Sequence, residues 1–313
     1  MLDSLEERIA LQKRGSVLDE VLRTSGCPQP GKWENGIPRR RPMYPRAGTA
    51  LAHNARSVIV RPPSSKDARE GMPLLHQVRT ALRIIGRKAA AARLQRAHAR
   101  HRAAHPALYA GNDAILARYR AGGGLSHVYQ DYKLASLRAL LQERRPRHIL
   151  ELGSGSTTAI FAEYVHATPG ARLVSVDESE AYLKEAQSIA GIAEGDPRFR
   201  LECRERILVR DEAGQVVARR YAGSFADDYD LVFVDGPSGT DEQGVRHKLA
   251  PSADVVDIVL RQAPRTIVVD GKYATVELLQ QRFGGLYDAY PSDLSGGTVR
   301  PGYRYLSYFH LRS

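Results

Sequence analysis

Residues 148–164 read HILELGSGSTTAIFAEY, and the fold turns on this stretch. Ile149 and Leu150 begin a short apolar run, Glu151 interrupts it, and Gly153 and Gly155 then flank Ser154. Ser156, Thr157 and Thr158 lead into the apolar-periodic AIFAEYV. The pattern predicts a buried strand, a tight glycine turn and a helix opened by hydroxyl residues. Such a turn brings bare backbone close to a ligand and aims free helix N–H groups at it.

Outward from the turn, apolar runs alternate with helical patterns. ARLVSVD is followed by SEAYLKEAQSIAGI, DYDLVFVD by SADVVDIVLRQA, and RTIVVD by ATVELLQQRF. This is the order of repeated β–α units building a largely parallel sheet. The terminal RYLSYFHL reads as an antiparallel last strand at the sheet edge. Residues 199–222 read as two short strands around an Ala-Gly turn. Ahead of the turn, SHVYQDYKLASLRALLQERRPRH predicts a helix with Leu134, Leu137 and Leu141 on one face, ending near Pro146. The expected fold is α/β, a doubly wound, mostly parallel Rossmann-like sheet with a basic helical N-terminal extension.

Charge divides the chain in the same place. Residues 1–120 carry 23 Lys/Arg against 9 Asp/Glu, and residues 121–313 carry 23 against 26. The extension is therefore assigned to 1–120 and the α/β domain to 121–313. Within the extension, residues 24–75 are rich in Pro and Gly around one strand candidate, SVIVR at 57–61. A long helix is expected from about Leu74 to Ala104, with Val78, Leu82 and Ile85 on one face and arginines on the others. It suits a solvated cationic helix packed on the core better than a nucleic-acid surface, because no aromatics interleave the arginines. Peripheral membrane contact stays open. Only Cys27 and Cys203 occur, which excludes a disulfide framework or a cysteine-built zinc site. MLDSLEERIALQKRG is charged from its start and no run approaches a membrane span, so a cytoplasmic protein is expected. No pattern sets an oligomeric state.

The glycine turn alone does not name a ligand. A dinucleotide fingerprint needs a third small residue where Thr158 stands, and no G-K-[ST] phosphate loop is present. Glu151 before the turn suits a cationic group as readily as a phosphate. Asp177 ends the next strand candidate, where a carboxylate can accept both hydroxyls of a ribose. Together these features ask for a nucleoside with a cationic appendage.

ELGSGST at 151–157 and VSVDESEAYL at 174–183 resemble the first two motifs of class I S-adenosylmethionine-dependent methyltransferases. The resemblance covers residues 125–313. It implies that Gly153, Ser154 and Gly155 bind the methionine side of S-adenosylmethionine, that Asp177 binds its ribose, and that Glu151 shapes the loop.

Two further acids, Asp235 in DLVFVDGPSG and Asp270 in TIVVDGKY, end strand candidates. In an open parallel sheet such positions line the ligand crevice. Paired carboxylates there suit Mg²⁺, which could lower the pKa of a substrate hydroxyl. The layout is similar to that of catechol-type and sugar O-methyltransferases, which implies metal ligation by Asp235 and Asp270 and makes Asp235 a cofactor or catalytic contact as well. The chain departs from the catechol-type pattern twice: Gly271 stands where an Asn follows the second acid, and Ser238 where a lysine is placed. Lys272 or His247 is then the candidate base. The polar loop GPSGTDEQGVRHKLAPSA at 236–253 suits a small polar hydroxylated acceptor, a sugar or natural product. The alternatives are a nucleic-acid methyltransferase using the basic extension and a non-catalytic S-adenosylmethionine-binding scaffold.

Overall fold

The structure is a computed structural model that describes residues 92–124, 129–291 and 306–312. The strand candidate at 57–61 and the expected helix up to residue 91 lie outside the described residues. From Leu94 on, the described residues belong to one compact unit.

Residues 92–104 are helical (α1). Three helices follow: α2 (Pro106–Tyr109), α3 (Asn112–Ala121) and α4 (Gln130–Arg144). The alternating part then runs β1 (His148–Leu152), α5 (Ser156–Ala167), β2 (Arg172–Asp177), α6 (Glu180–Ala190) and β3 (Phe199–Cys203). A hairpin of β4 (Arg206–Arg210) and β5 (Val216–Tyr221) leads to β6 (Leu231–Val234), α7 (Asp254–Gln262), β7 (Thr266–Asp270) and α8 (Tyr273–Phe283). The last strands are β8 (Tyr287–Pro291) and β9 (Leu306–Leu311).

Among the described residues, seven strands form one sheet in the order β3-β2-β1-β6-β7-β9-β8, with β4 and β5 paired apart from it. The first five strands are parallel, and β9 is antiparallel to both neighbours. This is a doubly wound, Rossmann-like sheet matching the class I methyltransferase fold. Two local expectations are corrected. The last strand is antiparallel but lies inside the sheet, and β8 takes the edge. Residues 199–222 hold three strands, because Phe199–Cys203 is drawn into the main sheet by pairing with β2.

Strand residues alternate between two apolar layers, as period-two geometry requires. Leu150, Leu152, Val232, Val234, Ile267 and Val269 face α7 and α8. Ile149, Leu173, Phe233 and Val268 face a layer that includes Ile115 of α3, Leu134, Leu137 and Leu141 of α4, and Ile160 and Phe161 of α5. Burying each such leucine contributes roughly 1.5–3 kcal/mol. The N-terminal helices are part of this packing. Leu94 packs on Tyr129 and Tyr132, and Arg102 pairs with Asp113 at 2.6 Å and Asp131 at 2.9 Å. Arg96 and Arg100 stay exposed. No helix among the described residues is long and apolar enough to cross a membrane.

Candidate active site

The chain reverses its direction of winding between β1 and β6, the switch point at which open α/β sheets bind ligands. The loops leaving these two strands touch backbone to backbone. Asp235 N and Gly236 N donate to the Leu152 carbonyl at 2.8 and 2.5 Å, and Gly153 N donates to Val176 O at 2.8 Å. Gly153 adopts φ +97°, and a Cβ there would fall 2.5 Å from Gly236 N. This glycine is required by close approach as well as by its dihedral.

Glu151 lies directly beneath the turn, with no exposed surface. Its carboxylate accepts from Thr157 Oγ1 at 2.5 Å, Thr158 Oγ1 at 2.7 Å and Ser175 Oγ at 2.5 Å. Thr158 Oγ1 also accepts from Gly155 N at 2.9 Å, which ties the turn to the first turn of α5. Burial pushes the Glu151 carboxyl up to about 7 against the pull of the three hydroxyls. The acid therefore acts on the turn from below through these hydroxyls.

Asp177 ends β2 beside the turn. Its Oδ2 accepts from Ser154 N and its Oδ1 from Ser179 N, both at 2.9 Å. The Ser154 hydroxyl is engaged with Ser175 Oγ at 2.7 Å. Burial raises Asp177 to about 6, and the nearby Glu178 and Asp235 charges push the same way. Glu178 accepts from Ser238 N at 3.0 Å, joining the end of β2 to the loop after β6.

Asp235 and Asp270 end the neighbouring strands β6 and β7, and each carries a lysine. Lys272, at the start of α8, reaches Asp235 Oδ1 at 3.2 Å, and the Asp235 carboxylate is half exposed. Lys133 of α4 pairs with Asp270, and both are buried. Burial pushes the Asp270 carboxyl up, and the Lys133 ammonium opposes it. His247 is engaged within its own loop, with Nε2 2.8 Å from Asp241 Oδ2. The structure thus joins Lys272 to Asp235 and gives His247 a different acid.

The two acids expected to ligate Mg²⁺ stand beside cations of the protein instead. Each carboxylate of the pair already has an ammonium partner, and Gly271 supplies no side-chain oxygen. Among the described residues, no group of three or more His, Cys, Asp or Glu side chains could hold a metal ion.

Two site residues have no counterpart in the sequence reading. One is Lys133, whose helical period places it beside Leu134 and Leu137 with nothing local to mark it as buried. The other is Tyr119 of α3, which leans over the turn. A Cβ added at Gly155 would meet its hydroxyl at 3.6 Å. Burial raises the Tyr119 phenol, and the charges of Asp235, Glu185, Tyr182 and Asp177 add to the shift.

No family model matches the chain, and no curated protein matches it. Among solved structures, the chain is similar to an O-methyltransferase from Bacillus cereus in complex with SAH, at 16% identity and a TM-score of 0.42, covering 64% of this chain and 90% of that one. It is also similar to an O-methyltransferase from Streptomyces achromogenes involved in tomaymycin synthesis, in complex with SAM, at 15% identity, TM-score 0.40, and 65% and 90% coverage. A methyltransferase from Geobacter sulfurreducens aligns at 16% identity, TM-score 0.39, and 64% and 87% coverage.

Proposed function

We propose that this chain is an S-adenosylmethionine-dependent O-methyltransferase that works on a small polar hydroxylated acceptor without a divalent metal. The observation that carries the proposal is the switch-point crevice itself. A bare glycine turn, Gly153–Gly155, is ringed by Asp177 on one side, overhung by Tyr119, and faced by the Asp235–Lys272 pair. With the Gly153, Ser154 and Gly155 N–H groups taken by Val176, Asp177 and Thr158, the turn meets the amino-acid end of the cofactor with its carbonyl oxygens; a hydroxyl-accepting carboxylate suits the ribose, and the concentration of acids suits the cationic centre. The polar residues of the 236–253 loop support a polyhydroxylated acceptor, a sugar or natural product.

S-adenosylmethionine, when bound, supplies an electrophilic methyl group on a sulfonium. The protein supplies placement and a proton acceptor. Asp177 fixes the ribose, Ser154 and Gly155 present backbone, and the Tyr119 ring covers the turn against water. Half-exposed Asp235 accepts a hydrogen bond from the acceptor hydroxyl. Methyl transfer would form the C–O bond as the C–S bond to the sulfonium breaks, leaving S-adenosylhomocysteine; the hydroxyl proton then becomes strongly acidic, and the Asp235 carboxylate takes it while the Lys272 ammonium holds the carboxylate in place.

Isothermal calorimetry with S-adenosylhomocysteine tests the proposal. The wild-type chain binds, and Asp177→Ala weakens binding roughly tenfold to a hundredfold through loss of charge-assisted hydrogen bonds. Asp177→Asn keeps the turn contact and serves as the fold control. A folded Asp177→Ala variant with wild-type affinity would remove Asp177 from the site, and no binding by the wild type would end the proposal.

A further inference from the structure

Arg219 lies in β5 with its backbone held on both sides: its N–H donates to Pro251 O at 2.9 Å, and Ala253 N donates to its carbonyl at 2.8 Å. The residue is only 5% exposed, and Nε is sealed from solvent without a hydrogen-bond partner. No carboxylate among the described residues lies within ion-pair distance of the guanidinium. The acids whose fields reach it are Asp235 and Glu178, with Arg246 acting as a like charge. Both acids are otherwise engaged. Asp235 pairs with Lys272, while Glu178 accepts from Ser238 N at 3.0 Å and from the Tyr221 hydroxyl at 3.4 Å.

A buried guanidinium with an unpaired Nε and no counter-ion is costly, and such groups are normally paired. The surroundings say where its partner belongs. Nη1 lies under the loop that leaves β6, so close that a Cβ at Gly239 would fall 2.2 Å from it. At this point the loop carries no side chain between itself and the cation. Exposed Arg246, on the returning arm of the loop, adds a second positive charge.

We propose that Arg219, with Arg246 beside it, is the recognition site for an oxyanion, a carboxylate or phosphate, carried by the methyl acceptor. A guanidinium meets either group through paired N–H donors. The proposal rests on the methyltransferase reading for its substrate and narrows that substrate to acidic hydroxylated compounds.

The test uses the full chain saturated with S-adenosylhomocysteine and titrated calorimetrically with galacturonate, galactose 6-phosphate and galactose. One or both charged sugars bind at least roughly tenfold more tightly than galactose, and which of them does so identifies the oxyanion. Arg219→Gln removes the preference, Arg219→Lys restores part of it, and Arg246→Gln reduces it. Equal binding of charged and neutral sugars overturns the proposal, as does a preference that survives in Arg219→Gln. If Arg219→Gln does not fold, the wild-type comparison and Arg246→Gln decide. A chain that ignores S-adenosylhomocysteine ends the methyltransferase reading, whereas titration of that unliganded chain still reports on Arg219.

Discussion

Substituting Gly153 by alanine tests whether the turn is built by contact between two loops. Its φ of +97° lies where a Cβ costs roughly 1–2 kcal/mol. The added carbon would also stand 2.5 Å from Gly236 N and 2.9 Å from the Asp235 carbonyl carbon. Both are backbone atoms pinned to Leu152 O, so no flexible side chain can yield. Overpacking of this kind adds about 1–3 kcal/mol. The sum, roughly 2–5 kcal/mol, is a large share of a typical domain stability of about 5–15 kcal/mol. Gly170→Ala is the control, since Gly170 has φ +79° and nothing within 4 Å of its added carbon. In urea unfolding followed by circular dichroism, Gly170→Ala reports the dihedral cost alone and Gly153→Ala exceeds it, with S-adenosylhomocysteine binding lost. Equal unfolding midpoints for the two variants, with unchanged slopes, would refute the close-approach argument.

Three further outcomes are expected. Glu151 has a folded pKa of about 7 against an ordinary 4.5, so its contribution to stability is complete below 4.5 and lost as pH rises through about 7; unfolding free energies between pH 4.5 and 8 fall by roughly 3 kcal/mol more in the wild type than in Glu151→Gln, and parallel pH profiles would show the acid is not buried as described. Lys133→Met leaves Asp270 as an uncompensated buried acid and costs roughly 3–5 kcal/mol in urea unfolding, much of it recovered in Lys133→Met/Asp270→Leu; additive losses would show that the two residues are not a pair. Methyl transfer survives exhaustive chelation, measured by product mass, and activity lost to EDTA and restored by Mg²⁺ would reinstate Asp235 and Asp270 as metal ligands.

The sheet was legible wherever a strand is buried on both faces. HILEL, RLVSVD, LVFV and TIVVD are short apolar runs bounded by turns, and each became a parallel strand. The glycine turn and Asp177 were legible because the spacing between a strand end and a helix start is local. What was not legible depends on distant partners. Periodicity marks Leu306–Leu311 as a strand but is silent on which neighbours it takes, and YDAYP, carrying Asp288 and Pro291, has no apolar run to announce β8. Lys133 reads as a polar position of an amphipathic helix, because its counter-ion Asp270 lies 137 residues away. The paired acids were found, and Lys272 was found as a candidate base rather than as the partner of Asp235, whereas Lys133, the partner of Asp270, was not.

The slot taken by β9 has a consequence for synthesis. Leu306–Leu311 is buried between β7 and β8, with Leu306 and Phe309 each 1% exposed, so the sheet closes only when this last segment arrives. While the ribosome still holds these residues, β7 presents an unpaired apolar flank and β8 has no neighbour to join. A nascent chain in that state offers an open strand edge to any other chain. Products truncated before Leu306 are expected to associate through this open edge.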